Sequence, residues 1–494
     1  MDNSSFCPPA STSIYDRQRL SAAAPMMPDL WLKIPAWPNV GGGGRVIIIG
    51  AGISGLCAAW GLRAAGFSPV VLERTNRAGG RIFTLRDYFG DQYVELGATR
   101  IPDQHPLPLA YARHFGLSLL EYPSARTRQI YHVRGRRFET GSAHGADYPH
   151  DLGLTAEESR FDAEHLCDYY TARALSVLSH PGEPEWPPAA AREVFQGKSV
   201  HSFLGELGAS PAAQEIYRAY SGSVIEMFDA LGWLAAQRVD GSVRKLYAIA
   251  GGNDRLTGSF ADSLEDCIVR DAQVTAVRSE AGTVSVEYAH NGRRERIQGD
   301  YAICTVPHRL LAEIDFSPPL SAAKRAAATA VPMGQVTRMN YQFSRRLWDR
   351  AGARGLVVAC TTSPIERLWD LTAVQPGTNG ILVAYAECQN AEALDQLPSD
   401  EARLERGLDV IESLFPGARA SFIKGLSFSW RQPWTQGAWP VFLADQTRFI
   451  GDFQRAEGRV FFAGDHTSLH SAWMQGALES AHFAIAEVIA AVRR

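Results

Sequence analysis

Several features that mark other classes of protein are scarce or missing in these 494 residues. The seven cysteines are scattered, odd in number, and not spaced like the ligands of a metal site or a disulfide framework. We therefore expect free thiols in a reducing compartment and no bound metal. Lysine is also rare, with five residues against 44 arginines, an imbalance that we attribute to genomic base composition.

Tracts of positive charge are missing as well. The formal net charge is −4, and no run of Lys or Arg forms a basic surface. This charge balance argues against a nucleic-acid partner. The content of 46% hydrophobic and 21% charged residues is typical of a globular protein, and the length predicts two or three domains.

No apolar run in the sequence is both long and uninterrupted. The longest one begins at residue 46 and is broken by glycines, so we expect no transmembrane helix. The first residues, MDNSSFCPPASTS, lack the basic and apolar regions of a signal peptide. These absences predict a cytoplasmic protein without a membrane partner.

What is present is organised around residues 45–81. Residues 46–49 are apolar β-formers and predict a buried strand of a parallel sheet. Residues 53–65 predict a helix, and residues 69–72 predict a second strand. Strand, helix and strand in this order are typical of a dinucleotide-binding βαβ unit, so we predict an α/β fold with a Rossmann-like domain.

The turn between the first strand and the helix carries the glycines that such a unit requires. Gly50 permits the tight turn, Gly52 lets the backbone approach a pyrophosphate, and Gly55 lets helix and strand pack closely. Ser54 lies at the same helix N-terminus, whose free N–H groups favour phosphate. Glu73 ends the second strand, where a carboxylate accepts hydrogen bonds from ribose hydroxyls. The unit therefore predicts a bound dinucleotide.

The residues after the second strand indicate which dinucleotide binds. Gly79 and Gly80 admit a close approach, and Arg81 can neutralise phosphate. This extension is more similar to the fingerprint of flavoproteins than to that of nicotinamide-binding proteins. We therefore expect a flavin dinucleotide.

The C-terminal part returns to the first sheet. Residues 459–462 predict a strand, Gly464 and Asp465 a tight turn, and the residues from Met474 to position 492 a long terminal helix. Asp465 would lie at the carboxyl end of a strand, where open α/β sheets bind ligands, and could accept hydrogen bonds from a polyol chain. The helix N-terminus at Met474 could hold partial negative charge.

Three separated blocks carry a resemblance to a known family: GAGISG…ERTNRAGGR, ELGATRIPDQHPL…FGL and FFAGDHTS…AWMQGALESA. Together they resemble the flavin amine oxidase superfamily, and the middle block is similar to its L-amino acid oxidase branch. The blocks span nearly the whole chain from residue 45 onward.

The resemblance implies FAD held by the first and third blocks. Glu73 would bind the adenosine ribose, Arg81 the phosphates, and Val274 the adenine side. Asp465 would bind the ribityl chain, and the N–H of Met474 the pyrimidine edge of the flavin. These assignments rest on the resemblance.

The resemblance also implies a set of residues around the substrate. The arginine that clamps the substrate α-carboxylate in the family falls on Arg100, and a guanidinium fork suits that group. Without the resemblance, Arg100 would be read as a surface salt bridge. The aromatic pair beside the flavin falls on Trp439 and Trp473, and the carbonyl that accepts from the substrate amine falls on Ala472.

The sequence departs from the family pattern at two further positions. The cysteine that links the flavin in some members falls on Ala438, which implies non-covalent FAD. The lysine that holds a water near the flavin aligns with Arg338, and no lysine lies between Lys324 and Lys424. An arginine has a permanent charge and cannot act as a tunable amine, so the reaction with oxygen is the step most affected.

Two acidic residues remain as candidates for the side-chain pocket. The tyrosine that helps to bind the carboxylate in this branch has no clear counterpart, and Trp369 and Asp370 lie in that region. Asp370 or Glu226 could meet a basic substrate side chain, and Glu226 is a candidate base.

The chain divides into segments that we assign to domains. Residues 1–44 predict an N-terminal arm with Trp31 and Trp37 as possible anchors, and helical patterns such as 156–178 and 211–228 dominate the middle of the chain. The assignment gives residues 45–83, 248–330 and 450–494 to a glutathione-reductase-type FAD-binding domain, residues 84–140, 236–247 and 331–449 to a mixed-sheet substrate domain, and residues 141–235 to a helical insertion.

The function implied by the resemblance is FAD-dependent oxidative deamination of an L-amino acid, with oxygen as the acceptor. An amino acid 2-monooxygenase that forms an amide and an amine oxidase without carboxylate recognition remain alternatives. A flavin-binding scaffold with impaired turnover is a third, supported by Arg338 alone. We also expect a homodimer. The sequence does not identify the side chain of the substrate.

Overall fold

The structure, a computed structural model, describes Leu30 and residues 32–123, 129–140, 148–177, 193–234, 245–280, 282–350 and 355–493. Its strands, in chain order, are β1 (Arg45–Ile49), β2 (Ser68–Leu72), β3 (Thr84–Asp87), β4 (Gly90–Glu95), β5 (Ile101–Pro102), β6 (Leu119–Glu121), β7 (Gln129–Val133), β8 (Arg136–Thr140), β9 (Leu246–Ile249), β10 (Ile268–Val269), β11 (Gln273–Glu280), β12 (Thr283–His290), β13 (Arg293–Gly299), β14 (Tyr301–Cys304), β15 (Asp315–Ser317), β16 (Met333–Gly334), β17 (Val336–Phe343), β18 (Val357–Thr361), β19 (Arg367–Asp370), β20 (Gly380–Glu387), β21 (Phe422–Ser429), β22 (Trp439–Pro440) and β23 (Val460–Phe462).

The α-helices follow the same convention. In chain order they are α1 (Ile53–Ala64), α2 (Pro106–His114), α3 (Ala163–Val177), α4 (Val200–Glu206), α5 (Pro211–Ser221), α6 (Asp254–Ser263), α7 (Ala322–Ala330), α8 (Leu347–Arg350), α9 (Cys388–Asp395), α10 (Asp400–Leu414), α11 (Ala418–Ser421), α12 (Phe449–Gln454) and α13 (Met474–Val492). None of these helices is both long and apolar enough to span a membrane.

A five-stranded sheet in the order β10–β2–β1–β14–β23 forms the first layer. All four of its strand pairs are parallel. Its central strand β1 is an almost continuous apolar run that is buried on both faces, as expected where helices cover both sides. Helices α1 and α13 pack against each other beside this sheet. The predicted α/β class and Rossmann-like unit are confirmed.

A seven-stranded mixed sheet in the order β21–β17–β20–β19–β18–β7–β8 forms the second layer. Its inner strands β17, β19 and β20 are buried along their whole length. Their antiparallel register places Arg338 of β17 and Arg367 of β19 directly opposite Tyr385 of β20, on either side of it. Two arginines and a tyrosine therefore form one row across the sheet.

The middle of the chain is helical, with one element shorter than the sequence suggests. The helix predicted over residues 211–228 is wrong, because α5 ends at Ser221 and a 3₁₀ turn follows at Ser223–Glu226. The cause is Gly222, whose φ of +98° cannot continue a right-handed helix. Likewise, the pattern over 156–178 yields a helix that begins only at Ala163.

The described end of the N-terminal arm packs onto the terminal helix. Leu30 and Trp37 are buried, and the Trp37 ring meets that of His482 edge-on at 5.6 Å. The other predicted anchor, Trp31, lies outside the described residues. The six cysteines that the structure describes are buried and free of disulfide bonds, as predicted.

Candidate functional site

One elongated cavity of about 580 Å³ runs from the carboxyl edge of the parallel sheet to the seven-stranded sheet. Most of the residues that the sequence assigns to the flavin or to the substrate line it, and these include Gly50, Gly52, Ser54, Glu73, Gly80, Arg81, Arg100, Val274, Arg338, Trp439, Gly464, Asp465, Ala472, Trp473 and Met474. Gly55 does not line it and packs against the Gly50 carbonyl. Distant segments of the chain thus converge on one continuous space.

The glycine turn leaves room where a pyrophosphate would lie. Gly50 has a φ of +103°, which a residue with a Cβ atom rarely adopts. A Cβ atom placed on Gly52 would meet nothing within 4 Å, so its backbone borders open space at the start of α1. A Cβ atom on Gly55 would overlap the carbonyl oxygen of Gly50. The turn is therefore closed on the protein side and open on the cavity side.

Glu73 is buried and prearranged at the end of β2. One of its carboxylate oxygens accepts from the backbone N–H of Ala51 at 2.8 Å. The other accepts from the N–H of Thr75 at 2.9 Å and from the Thr75 hydroxyl at 2.8 Å. These bonds fix the carboxylate at the cavity wall, with acceptor capacity left for hydroxyl groups such as those of a ribose.

Arg81 and Asp465 form an ion pair at the middle of the cavity. Arg81 also donates to the Ala438 carbonyl at 2.9 Å, and Asp465 accepts from the N–H of Ala472 at 3.2 Å. Although burial opposes the charge of Asp465, Arg81 holds the pKa of this carboxyl below its usual value. An arginine expected at phosphates and an aspartate expected at a ribityl chain thus stand side by side.

These residues fit a flavin dinucleotide. Open space at Gly52, a fixed carboxylate at Glu73 and the N-terminus of α13 at Met474 all border the same cavity. Helix N-termini and close backbone approach suit phosphate and partial negative charge. Val274 is buried on β11 beside the Glu73 end, where an adenine ring would lie.

Arg100 lies at the other end of the cavity, between two indole rings. Its guanidinium carbon is 5.2 Å from the ring centre of Trp369 and 5.1 Å from that of Trp473. Burial, together with the nearby charge of Arg367, lowers the pKa of Arg100 to about 10. Within the described residues no carboxylate pairs with it. A desolvated cation without an anionic partner suits an anionic ligand.

Arg338 is buried beside Arg100 and supports the segment that carries it. Its Nη1 atom donates to the Glu95 carbonyl and to the Thr99 hydroxyl, both at 2.8 Å. Its guanidinium carbon lies 5.4 Å from the ring centres of Trp369 and Tyr385. The residue that aligns with the family lysine is therefore a fixed cation at the cavity wall.

The sequence did not single out three residues of this region: Arg367, Tyr385 and Glu387. Arg367 donates from Nη2 to Glu387 at 2.9 Å, and both side chains are buried. Burial raises the pKa of Glu387, and the ion pair with Arg367 opposes this shift. Side chains alternate between the two faces of a strand, and this alternation could have indicated the group. Arg367 and Trp369 lie on one face of β19, and Tyr385 and Glu387 lie on one face of β20.

Aromatic rings form the walls of the substrate end. Tyr385 stacks on Trp369 with ring centres 4.4 Å apart, and Trp439 lies parallel to Tyr385 at 6.5 Å. Trp473 meets the ring of His105 edge-on at 4.8 Å. Such walls exclude water and present flat surfaces to a bound ring or an aliphatic chain.

Ala472 has an unusual backbone conformation for a residue with a side chain. Its φ of +69° places it in the left-handed region, directly before α13 begins at Met474 with Trp473 as the N-cap residue. Non-glycine residues held there often mark functional turns. The conformation presents the exposed Ala472 to the cavity.

Two acidic candidates from the sequence lie away from the cavity. Glu226 is exposed and pairs with Arg218 at 2.6 Å. Asp370 is buried, and its carboxylate accepts from the Trp348 indole at 2.8 Å and from Thr372. Neither residue lines the cavity. Their proposed roles toward a basic side chain and as a base are therefore wrong.

Known proteins with similar sequences include several L-amino-acid oxidases. The chain is 29% identical over 458 residues to a Bacillus subtilis (strain 168) protein named "Putative L-amino-acid oxidase YobN", covering 88% of this chain and 92% of that protein. It is 27% identical over 453 residues to an L-amino-acid oxidase of Siganus canaliculatus, covering 90% and 85%.

Solved structures with the same fold include amine oxidases. A structure of wild-type putrescine oxidase bound to putrescine superimposes with a TM-score of 0.76 and 22% identity, covering 90% of this chain and 99% of that chain. Cyclohexylamine oxidase from Brevibacterium oxydans IH-35A superimposes with a TM-score of 0.75 and 20% identity, covering 91% and 100%. These likenesses concern the fold.

The family profile described as "Flavin containing amine oxidoreductase" matches residues 53–489, which is most of the chain. The match agrees with the cavity, whose nucleotide end fits a flavin dinucleotide. The protein is an oxidoreductase, and its cofactor is a flavin. The chain belongs to the family of flavin-containing amine oxidoreductases.

Proposed function

We propose that the chain is an FAD-dependent L-amino acid oxidase, which converts an L-amino acid and oxygen to the 2-oxo acid, ammonia and hydrogen peroxide. The observation that carries this proposal is Arg100. It is a desolvated guanidinium between Trp369 and Trp473, and within the described residues it has no carboxylate partner. The curated relatives named L-amino-acid oxidases support the same activity.

The residues of the substrate end would act mainly by positioning the substrate. Arg100 binds the α-carboxylate through a two-point contact, and the Ala472 carbonyl accepts a hydrogen bond from the substrate amine. The walls formed by Trp439 and Trp473 hold the Cα–H bond in one orientation and keep water away. No carboxylate base is required if the amine arrives uncharged.

FAD, held by Glu73, Arg81 and Asp465 and by the N-terminus of α13, would supply the redox chemistry, since a flavin can accept a hydride from a C–H bond and pass the electrons to oxygen. The substrate loses that hydride and one amine proton and becomes an imino acid. Water then replaces the imine nitrogen, which gives the 2-oxo acid and ammonia. Oxygen receives two electrons and two protons and leaves as hydrogen peroxide.

An oxygen-consumption screen against the twenty L-amino acids and a few simple amines tests the proposal. We expect uptake with at least one amino acid, no uptake with its decarboxylated amine, and a 2-oxo acid as the product. Uptake with amines alone would assign an amine oxidase, and an amide product would assign a 2-monooxygenase. Substrate that fails to bleach the flavin without oxygen would assign a scaffold.

The flavin is expected to be non-covalent. The linking position is Ala438, and no cysteine among the described residues lines the cavity. Precipitation of the yellow protein with acid or heat should therefore leave essentially all of the flavin in the supernatant, where its absorbance is measured. A pellet that stays yellow after washing in denaturant would contradict this prediction.

We expect Arg338→Lys to change the reaction with oxygen more than substrate binding. A lysine amine can change its protonation in this cavity, whereas the guanidinium cannot. Stopped-flow mixing of the reduced variant with oxygen should give a rate constant raised by about tenfold, with KM for an amino acid with an uncharged side chain changed less than about threefold. The exposed Arg431→Lys is the control and should match the native protein. An unaltered rate in Arg338→Lys would contradict the alignment.

A further inference from the structure

The substrate end of the cavity holds more positive charge than one α-carboxylate requires. Three guanidiniums, those of Arg100, Arg338 and Arg367, surround the stacked rings of Trp369 and Tyr385, at 5.0 to 5.9 Å from one or both ring centres. Arg367 and Arg338 each oppose the charge of Arg100, because like charges repel strongly where water is excluded. Such a group of cations needs negative charge nearby.

The protein supplies that charge mainly to Arg367. Glu387 forms an ion pair with Arg367, and the buried Glu366 lies close enough to act on the charge of Arg367 as well. Glu95 lies near Arg338, but burial raises the pKa of its carboxyl to about 8, so the carboxyl is largely uncharged at neutral pH. Glu164 also lines the cavity and is engaged in interactions of its own. Arg100 and Arg338 are left without a carboxylate.

These two arginines also hold the donors that remain for a ligand. The Arg100 side chain makes no hydrogen bond to the described residues. Arg338 uses Nη1 for Glu95 and Thr99, whereas its Nη2 atom makes no hydrogen bond there. Arg367 is engaged by Glu387 and by the Tyr220 carbonyl. The site therefore offers two separate places for carboxylates.

We propose that the substrate is an acidic L-amino acid, whose α-carboxylate binds Arg100 and whose side-chain carboxylate binds Arg338 beside Tyr385. This inference rests on the proposed L-amino acid oxidase function and adds the class of its substrate. Arg338 would serve as a specificity residue in addition to supporting the loop of Arg100. Arg367, neutralised by Glu387, would hold Tyr385 and contribute to the positive field.

The first test compares substrates of equal shape on the native holoenzyme. L-Glutamate and L-aspartate should be oxidised with kcat/KM at least about tenfold above L-glutamine and L-asparagine, because the amides lack the charge that the second arginine requires. If the amides or L-leucine are oxidised as efficiently as the acids, the inference is wrong while the proposed function stands.

The second test measures binding without turnover. Tryptophan fluorescence of the holoenzyme should report glutarate at a Kd at least about tenfold below that of pentanoate, which has the same number of carbons and one carboxylate. Arg338→Gln should abolish this difference, Arg338→Lys should retain part of it, and the exposed Arg431→Gln should retain all of it. Equal binding of the two acids by the native protein would overturn the inference.

The two tests also separate the inference from the proposed function. If no amino acid is oxidised while glutarate binds more tightly than pentanoate in an Arg338-dependent way, the dicarboxylate site stands and the oxidase function fails. Arg338→Gln could also disturb the loop of Arg100 through Glu95 and Thr99. Binding of pentanoate, which needs Arg100 alone, reveals such damage, since it should change less than about threefold.

Discussion

Replacing Arg100 by alanine should lower kcat/KM for an L-amino acid by about a hundredfold or more. A charge-assisted two-point contact in a desolvated site contributes several kcal/mol, and each 1.36 kcal/mol corresponds to a factor of ten. The substrate carboxylate would enter the cavity without its partner, so the loss exceeds that of one neutral hydrogen bond. Steady-state oxygen uptake measures the effect, while the flavin absorbance shows that FAD content is unchanged.

Two comparisons show whether Arg100 acts on the carboxylate. Arg100→Lys should recover only part of the activity, because an ammonium lacks the fork. The decarboxylated amine should be a poor substrate of the native enzyme and should be affected little by the alanine change. If that amine is oxidised as well as the amino acid, and the variant treats both alike, Arg100 has no role in carboxylate recognition.

The stability of Arg100→Ala should move in the opposite direction to its activity. In the free protein the Arg100 guanidinium is desolvated, next to Arg367 and Arg338, and unpaired among the described residues. Removing it relieves the free-energy cost of a desolvated cation beside two others, and it takes away no ion pair. The Tm of the variant should therefore equal or exceed that of the native protein. A lower Tm would indicate that Arg100 is a structural residue.

The nucleotide end of the cavity could be predicted from the sequence because its requirements are local. The turn at Gly50 needs a positive φ, Gly52 needs an open face, and Glu73 must end the next strand. All three conditions lie within one βαβ unit. Asp465 and Met474 are far away in sequence, but Asp465 closely follows the end of β23 and Met474 begins α13. Motif and element order therefore place them without knowledge of packing.

The substrate end could be predicted only in part, because it depends on strand register. Arg338, Tyr385 and Arg367 meet across three strands whose order in the sheet, β17–β20–β19, differs from their order in the chain. A shift of one residue would turn each of these side chains to the other face. The sequence placed Asp370 in the same region, but its carboxylate lies among Trp348 and Thr372. Being next to Trp369 in sequence therefore does not place the Asp370 side chain in the cavity.

Changing either Gly52 or Gly55 to alanine should weaken flavin binding, for a different reason at each position. At Gly55 the added methyl group overlaps the Gly50 carbonyl oxygen, and only a shift of the backbone would relieve this overlap. We expect Gly55→Ala to lose about 1–3 kcal/mol of unfolding free energy and to purify with little flavin. At Gly52 the φ of −70° suits alanine and the methyl group would meet only open space. Because an N-cap position prefers glycine to alanine, Gly52→Ala should lower the stability of the apoprotein by no more than about 1 kcal/mol.

The flavin affinity of Gly52→Ala should nevertheless fall by about a hundredfold or more, because the methyl group occupies the space through which the pyrophosphate approaches the backbone. Urea unfolding of the apoproteins and flavin titration followed by fluorescence quenching separate the two effects. Gly258→Ala is the matched control. Gly258 lies in α6, away from the cavity, and a Cβ atom added there would also meet no other atom. Gly258→Ala should therefore stabilise the helix by about 1 kcal/mol without altering flavin affinity. Native flavin affinity in Gly52→Ala would place the pyrophosphate elsewhere.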